Sequence, residues 1–322
     1  MSTDWPHADI PRTVALPSLG HLPALTHIFE AKDVWAIRAA LGARRPLLVR
    51  GEPGTGKSQL ARAAAQALGR VFVSEVITSR TESHDLHWHF DAVARLGKAQ
   101  TMAAAGQANG SSLDEHLYLS PGPLWWVFNW DGAEAQREAA VVKGKRPNPP
   151  QGWTADKGAV LLIDEIDKAD SDLPNGLLES LGNGEFHVPY LDEPVKCRSE
   201  PAPLVVITTN EERELPPAFV RRCLVLQLAL PTGDGLIDFL VARGEAHFGQ
   251  QLSKDIYRQA AALVTKDRDS LIAQGMVAPG QAEYLDLLRA VSDIAQGDSA
   301  RQRQALADLQ GFILDKNPRA SR

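Results

Sequence analysis

The sequence predicts an α/β fold, a five-stranded parallel sheet covered by helices, followed by an all-helical domain. Three observations carry this reading. Continuous apolar runs alternate with helical patterns over the first 230 residues, and unbroken apolar runs suit strands buried on both faces. The first of these runs stops at a glycine-rich loop that opens a helix, the start of a βαβ unit whose strands must lie parallel. After Pro231 the helical periodicity continues without any strand pattern.

Taken in chain order, residues 1–45 form an N-terminal extension, shorter than a typical independent domain. From Pro46, PLLVR is the first strand; it ends at GEPGTGKS. In QLARAAAQALGR, residues Leu60, Ala63, Ala64, Ala67 and Leu68 fall at helical spacing, and Gly69 stands where a C-cap is favoured. VFVSEVIT is rich in β-branched residues and predicts a second strand over 71–78. GAVLLID ending at Asp164, PLVVITTN ending at Asn210 and CLVLQLAL ending at Leu230 supply three more, with DLPNGLLESLGNG as a helix among them.

The roughly 80 residues between the second and third strands exceed a simple crossover and must hold inserted structure, at about 80–157. Within it, YLSPGPLWWVFNWDGAEAQREAAVV reads as a turn and an amphipathic helix, KGKRPNPPQGW as an exposed loop, and the Ala/Gly/Ser-rich stretch 103–112 as a flexible tip. The core therefore spans 46–230. The helical domain, 231–322, follows in GLIDFLVARGEAHFG, LSKDIYRQAAALVTKDRDSLIA, AEYLDLLRAVSDIA and RQRQALADLQGFILDK.

Composition narrows the class. Hydrophobic residues at 44% and charged residues at 23% are the balance of a globular protein. Cys197 and Cys223, the only cysteines, show neither zinc-site spacing nor the density of a secreted disulfide framework, and read as reduced thiols of a cytoplasmic protein. No signal peptide pattern opens the chain, and no apolar run approaches the roughly 18 residues of a membrane span. The net charge of −6 argues against a surface dominated by nucleic-acid contacts, though it leaves a local basic groove open.

The chemistry concentrates in four places. Gly51-Glu52-Pro53-Gly54-Thr55-Gly56-Lys57-Ser58, continued by Gln59, fits the phosphate-loop pattern in full. Its glycines let successive N–H groups face the phosphates, and the following helix adds its positive end. Lys57 is expected on the β- and γ-phosphates of ATP and Ser58 on Mg2+. Second, the third strand ends in Asp164-Glu165, at the carboxyl end of a sheet where ligands are expected. Asp164 would hold Mg2+ through water, and Glu165 would orient and deprotonate the attacking water; the alternative is a strand merely capped by acids. Third, Asn210 ends its strand with a neutral amide suited to the attacking water or the γ-phosphate, or serves only as a turn residue. Fourth, LPPAFV-Arg221-Arg222 ends in two arginines. These are either solvated charge or, in a ring, a finger on a neighbour's ATP.

This order of motifs resembles the AAA+ ATPases, and its details resemble the MoxR branch, over about Leu47 to Leu230 and more loosely the helical lid. The resemblance matches Lys57, Asp164, Glu165 and Asn210 to the phosphate-loop lysine, magnesium aspartate, catalytic glutamate and sensor asparagine. Pro121-Gly-Pro-Leu124 and LLESLGNGEFHVPYLDEPV resemble the segment after the helix-2 insert and the helix and hairpin before the sensor strand. Two departures stand out. Pro279-Gly280-Gln281-Ala282 replaces the usual Pro-Arg-Ala, leaving no second sensor assigned, and the finger motif ends Arg222-Cys223 rather than Arg-Phe; Arg222 is the first choice for the finger and Arg221 the second.

Two clusters carry weaker signals. His84, His87 and His89 suggest a metal set, but 84 and 87 share a helix face that 89 does not. A surface segment packing Trp88 and Phe90, or a substrate contact at a ring pore, fits better. Trp125, Trp126, Phe128 and Trp130 are either an interface anchor or, preferably, packing of the inserted helix. Together the residues imply an ATP-hydrolysing protein, and the resemblance implies a homo-oligomeric ring, a hexamer, acting as a motor on a separate protein partner, one with a von Willebrand A domain. A nucleotide-gated switch assembling a signalling or defence complex is the rival, and a DNA-dependent ATPase is disfavoured by the acidic balance. No membrane is involved in either reading.

Overall fold

In the computed structural model, residues 10–20, 23–106, 110–198 and 200–313 are described. The first nine residues of the expected extension, positions 107–109 of the expected tip and the last nine residues of the lid lie outside them. The chain forms two compact units. Of the described residues, one gathers 10–11, Glu30–Arg50 and Ala61–Leu226; the other gathers Arg12–Phe29, Gly51–Leu60 and 227–313.

The first unit is built on the predicted sheet. Strands Leu47–Arg50, Val71–Val76, Ala159–Asp164, Leu204–Thr209 and Leu224–Gln227 stand in the spatial order Leu224, Leu47, Leu204, Ala159, Val71. The sheet is parallel, with register Val206↔Leu47, Leu204↔Val160 and Val71↔Ala159. Each of the three central runs is apolar throughout because both faces are covered, and Leu47–Val49, Val160–Ile163 and Leu204–Ile207 are buried. The register brings Arg50 opposite Thr209 and Val76 opposite Asp164, so the carboxyl ends of these strands are level.

The last strand is shorter than the apolar run CLVLQLAL suggests. Pairing covers only Leu224–Gln227, since this edge strand has one neighbour and that neighbour, Leu47–Arg50, is itself four residues long. The inserted region is likewise richer than a turn and one helix. Helix Pro123–Phe128 breaks at Asn129, whose Oδ1 accepts the Gly132 N–H at 3.0 Å to cap a second helix, Trp130–Ala139. A helix at Ala92–Ala104 and an antiparallel pair, Trp88–Phe90 with Leu119–Pro121, complete it. Trp125, Trp126 and Phe128 are buried in the main core, so packing, not anchoring of a partner, accounts for them. Trp130 stacks edge-on against Trp153 at 4.6 Å and lies under Arg146, which ties the proline-rich loop to the helix.

The second unit contains the four expected helices, Asp234–Phe248, Lys254–Ala273, Gln281–Ile294 and Ser299–Ile313, around Leu240, Tyr257, Tyr284 and Leu288. An antiparallel pair, Thr13–Leu16 with Leu25–Ile28, packs on the first of these helices. Among the described residues no helix is long and apolar enough to cross a membrane.

Burial also sets an acid limit. His87 is buried against Phe186, and its Nε2 lies 2.6 Å from the Ser180 hydroxyl. Desolvation pushes its pKa from 6.5 down to about 4. The unfolded chain takes up this proton near pH 6.5 and the folded one resists to about 4, so stability is intact above that window and is lost as pH falls through it. Unfolding by urea at pH 7.5 and 5 should show His87 contributing about 2 kcal/mol of the acid loss. His87→Gln should reduce the difference between the two pH values by about that amount; an unchanged difference would refute the assignment.

Candidate functional site

The carboxyl ends of the Ala159 and Leu204 strands bring Asp164, Glu165 and Asn210 together. Thr208, fully buried, joins them: its hydroxyl donates to Asp164 Oδ1 at 2.5 Å and accepts the Glu165 N–H at 2.9 Å. Glu165 has φ 60 and ψ 49, a left-handed conformation that a residue with a Cβ adopts at a cost of order 1 kcal/mol or more. The Thr208 bond offsets that cost and turns the carboxylate. Its Oε1 accepts from Asn210 Nδ2 at 3.3 Å, and its Oε2 pairs with Lys168 Nζ at 2.5 Å. The Asn210 backbone is fixed in turn by Asp167, a buried carboxylate that accepts the N–H of Asn210 at 3.2 Å and of Glu212 at 3.0 Å. Glu165 pairing raises the Lys168 pKa.

The phosphate loop belongs to the second unit. A Cβ on Gly51 would lie 2.3 Å from the Leu228 carbonyl oxygen, which only glycine tolerates, and Gly54 and Gly56 hold φ of 76 and 91. Lys57 is buried, its Nζ donating to the carbonyls of Gly51 and Glu52 at 2.8 and 2.9 Å, and Thr55 Oγ1 donates to the Glu52 carbonyl at 2.8 Å. Ser58 and Gln59 continue helix Lys57–Ala67. Pro53 precedes Gly54 in the turn. In the Pro279-Gly280-Gln281-Ala282 segment, Gln281 is buried at the start of its helix, with Nε2 3.9 Å from where a Gly56 Cβ would stand. From the neighbouring helix Arg268, also buried, reaches Glu52.

Arg221 and Arg222 lie elsewhere. Helix Pro217–Arg222 leads into the Leu224 strand, whose first N–H bonds the Pro46 carbonyl at 2.8 Å, so both arginines stand at the amino end of the sheet. Asp164 is at the other end and three strands away, about 20 Å by strand rise and spacing, beyond the reach of an arginine side chain. Arg45 binds the carbonyls of Arg221, of Arg222 at 2.9 Å and of Cys223 at 3.2 Å, which leaves both finger candidates exposed on a clamped backbone. Cys223 is buried, and burial pushes its thiol up to about 11.

The histidines do not form one set. His84 and His89 are exposed and face the same Asp85 Oδ1, at 3.6 and 3.2 Å, while His87 turns into the core. Thr208, Asp167, Lys168, Arg45 and Arg268 went unread in the sequence. Only Asp167 and Lys168 had a local signal, their closeness to Asp164-Glu165 in DEIDK.

A complete phosphate loop and a parallel sheet ending in paired carboxylates define a P-loop ATPase of the AAA class. The chain belongs to the AAA domain family, dynein-related subfamily, which matches residues 46–223. No curated protein matches it. Among solved structures it is similar to a protein named as a candidate ATPase from Cytophaga hutchinsonii, at 14% identity over 88% of this chain and 79% of that one, TM-score 0.39. It is also similar to a variant of RuvB from Thermotoga maritima, at 15% identity over 87% and 68%, TM-score 0.46.

Thr208→Val should leave the Glu165 N–H without an acceptor and cost about 1–3 kcal/mol of stability. Thr208→Ser should restore most of it. Denaturant unfolding of the three proteins checks this, and equal stability of the valine and wild-type forms would exclude the bridging role.

Proposed function

We propose that this chain binds ATP with Mg2+ and hydrolyses it as the subunit of a MoxR-like ring that remodels a partner protein. One observation carries the hydrolytic half. Glu165 is held in a strained conformation, by a hydroxyl shared with Asp164, so that its carboxylate meets the Asn210 amide. A strained backbone of this kind persists where a side chain has to be aimed. The phosphate loop fits a polyphosphate because Gly54 and Gly56 supply the positive φ that curls its backbone and because Lys57 is already folded onto its carbonyls.

The roles follow from donor chemistry. Ser58 and Asp164 offer the hydroxyl and carboxylate oxygens that Mg2+ accepts, and when bound the ion would neutralise phosphate charge. Lys57 binds the β- and γ-phosphates. Glu165 takes the proton of the attacking water, and Asn210 holds that water without adding negative charge. Arg222, or Arg221 in its place, serves a neighbouring subunit, since its own chain's Glu165 is out of reach. That requirement supports a closed ring of identical subunits, a hexamer by the MoxR resemblance, which also supports a partner with a von Willebrand A domain. The Lys168 pairing favours a second reading, a slow nucleotide-gated switch, because one oxygen of the base is occupied until that bond opens.

Lys57→Ala should abolish nucleotide binding, and Glu165→Gln should keep binding while lowering turnover by about 100-fold or more. Normal affinity in the first or normal turnover in the second sinks the corresponding assignment. Arg222→Ala should bind ATP yet hydrolyse it poorly, and mixing it with Lys57→Ala should recover activity through composite sites. Co-assembly without recovery would refute action across subunits. A Lys168→Ala protein that turns over faster than wild type would support the switch, and an unchanged rate would support the motor.

A further inference from the structure

Arg50 ends the Leu47–Arg50 strand and is followed in the chain by Gly51, the first residue of the phosphate loop. Its register partner is Thr209, so it stands beside the last residue before Asn210. The side chain is half-buried, with Nε enclosed and without a hydrogen-bond partner, and Nη1 lies 3.7 Å from Glu211 Oε1. A cation drawn this far from water needs an opposing charge close by. Glu211 supplies it from the position after Asn210.

Glu211 takes up this place under strain. Its φ is 61, in the left-handed region, where a residue with a Cβ persists only if its surroundings hold it. Three holds converge on it. Its N–H donates to the buried Thr209 Oγ1 at 2.9 Å, Asp167 accepts the N–H groups of Asn210 and Glu212 on either side, and Arg50 draws its carboxylate back toward the Leu47 strand. The first two act through backbone donors and would serve any residue at 211 that has an N–H. Only the ion pair depends on the Glu211 side chain. With Glu212 anchored beyond it, relaxation of the strained φ has to be taken up at Asn210, whose Nδ2 lies 3.3 Å from Glu165 Oε1.

We propose that Arg50 is a positioning residue for Asn210: by holding the Glu211 carboxylate it keeps the left-handed turn that aims the Asn210 amide at Glu165. This rests on the hydrolytic reading of Glu165 and Asn210. It gives the residue before the phosphate loop a part in water activation that is performed without touching the nucleotide. It also joins the strand that enters the loop to the turn that carries Asn210.

Steady-state ATP hydrolysis by the full chain tests this. Arg50→Gln and Glu211→Ala should each lower kcat by roughly fivefold while KM for ATP changes by less than about twofold, because the loss falls on an aim needed in the chemical step. Arg50→Lys, which keeps the charge, should retain most of the rate. Glu211→Gly is the deciding variant. Glycine takes a positive φ without strain, so this protein should turn over faster than Glu211→Ala although both have lost the ion pair. Adding Arg50→Gln to Glu211→Gly should change nothing further. Wild-type turnover in both Arg50→Gln and Glu211→Ala would make the pair an idle surface contact and overturn the proposal. A raised KM, or an Arg50→Gln loss that persists beside Glu211→Gly, would put Arg50 on the nucleotide itself and overturn it as well. Equal loss in Glu211→Gly and Glu211→Ala would exclude the backbone route. Full turnover in Asn210→Ala is a separate result that refutes the hydrolytic reading beneath the proposal, so the two failures cannot be confused.

Discussion

The hydroxyl of Thr208 ties the carboxylate end of the site together. It lies where two central strands stop side by side, donates a hydrogen bond to Asp164 and accepts one from the N–H of Glu165. Without an acceptor there, the left-handed turn at Glu165 would carry its backbone cost unrelieved, and the carboxylate would lose its direction toward Asn210. The register of the parallel sheet makes the contact, because Ile207 pairs with Ile163 and the next residues on both strands then meet. Sheet formation and site formation are thus one event. Asp167 extends the same logic by one turn, fixing the chain beyond Asn210 through backbone donors alone.

What the sequence discloses is what lies contiguous in it. The phosphate loop, the Asp164-Glu165 strand end and Asn210 are each a few neighbouring residues with a recognisable pattern, and the sheet follows from unbroken apolar runs. The partners that aim those residues come from 43 to 216 positions away, as Thr208 does to Glu165 and Arg268 to Glu52. A threonine in a buried strand and an arginine in an amphipathic helix look ordinary until register and helix packing place them. The length of the last strand was hidden for a related reason: it is limited by its neighbour, not by its own hydrophobicity.

The aromatic and histidine clusters show how composition alone misleads. WW-V-F invites a binding surface, yet the short helix that carries these residues is buried all round and closes the main core. HDLHWHF invites a metal, yet a tight turn at Ser83–Leu86 followed by extended chain sends His87 to Ser180 and leaves the other two histidines beside Asp85. In both cases a change of backbone direction within seven residues, which propensity does not fix, decides the outcome.

The clamp of Arg45 on three successive carbonyls has a bearing on how a side chain acts at a distance. An arginine on a frayed helix end would have to lose both backbone and side-chain freedom on meeting a partner, about 1–2 kcal/mol for each residue ordered in addition to roughly 2 kcal/mol for the side chain. At Arg221 and Arg222 the backbone portion of that entropy has been surrendered during folding, through bonds from Arg45. Whatever these two guanidinium groups engage, only their own torsions remain to be frozen. Folding has thus prepaid part of the entropy of association, through an arginine that does not itself need to touch the target.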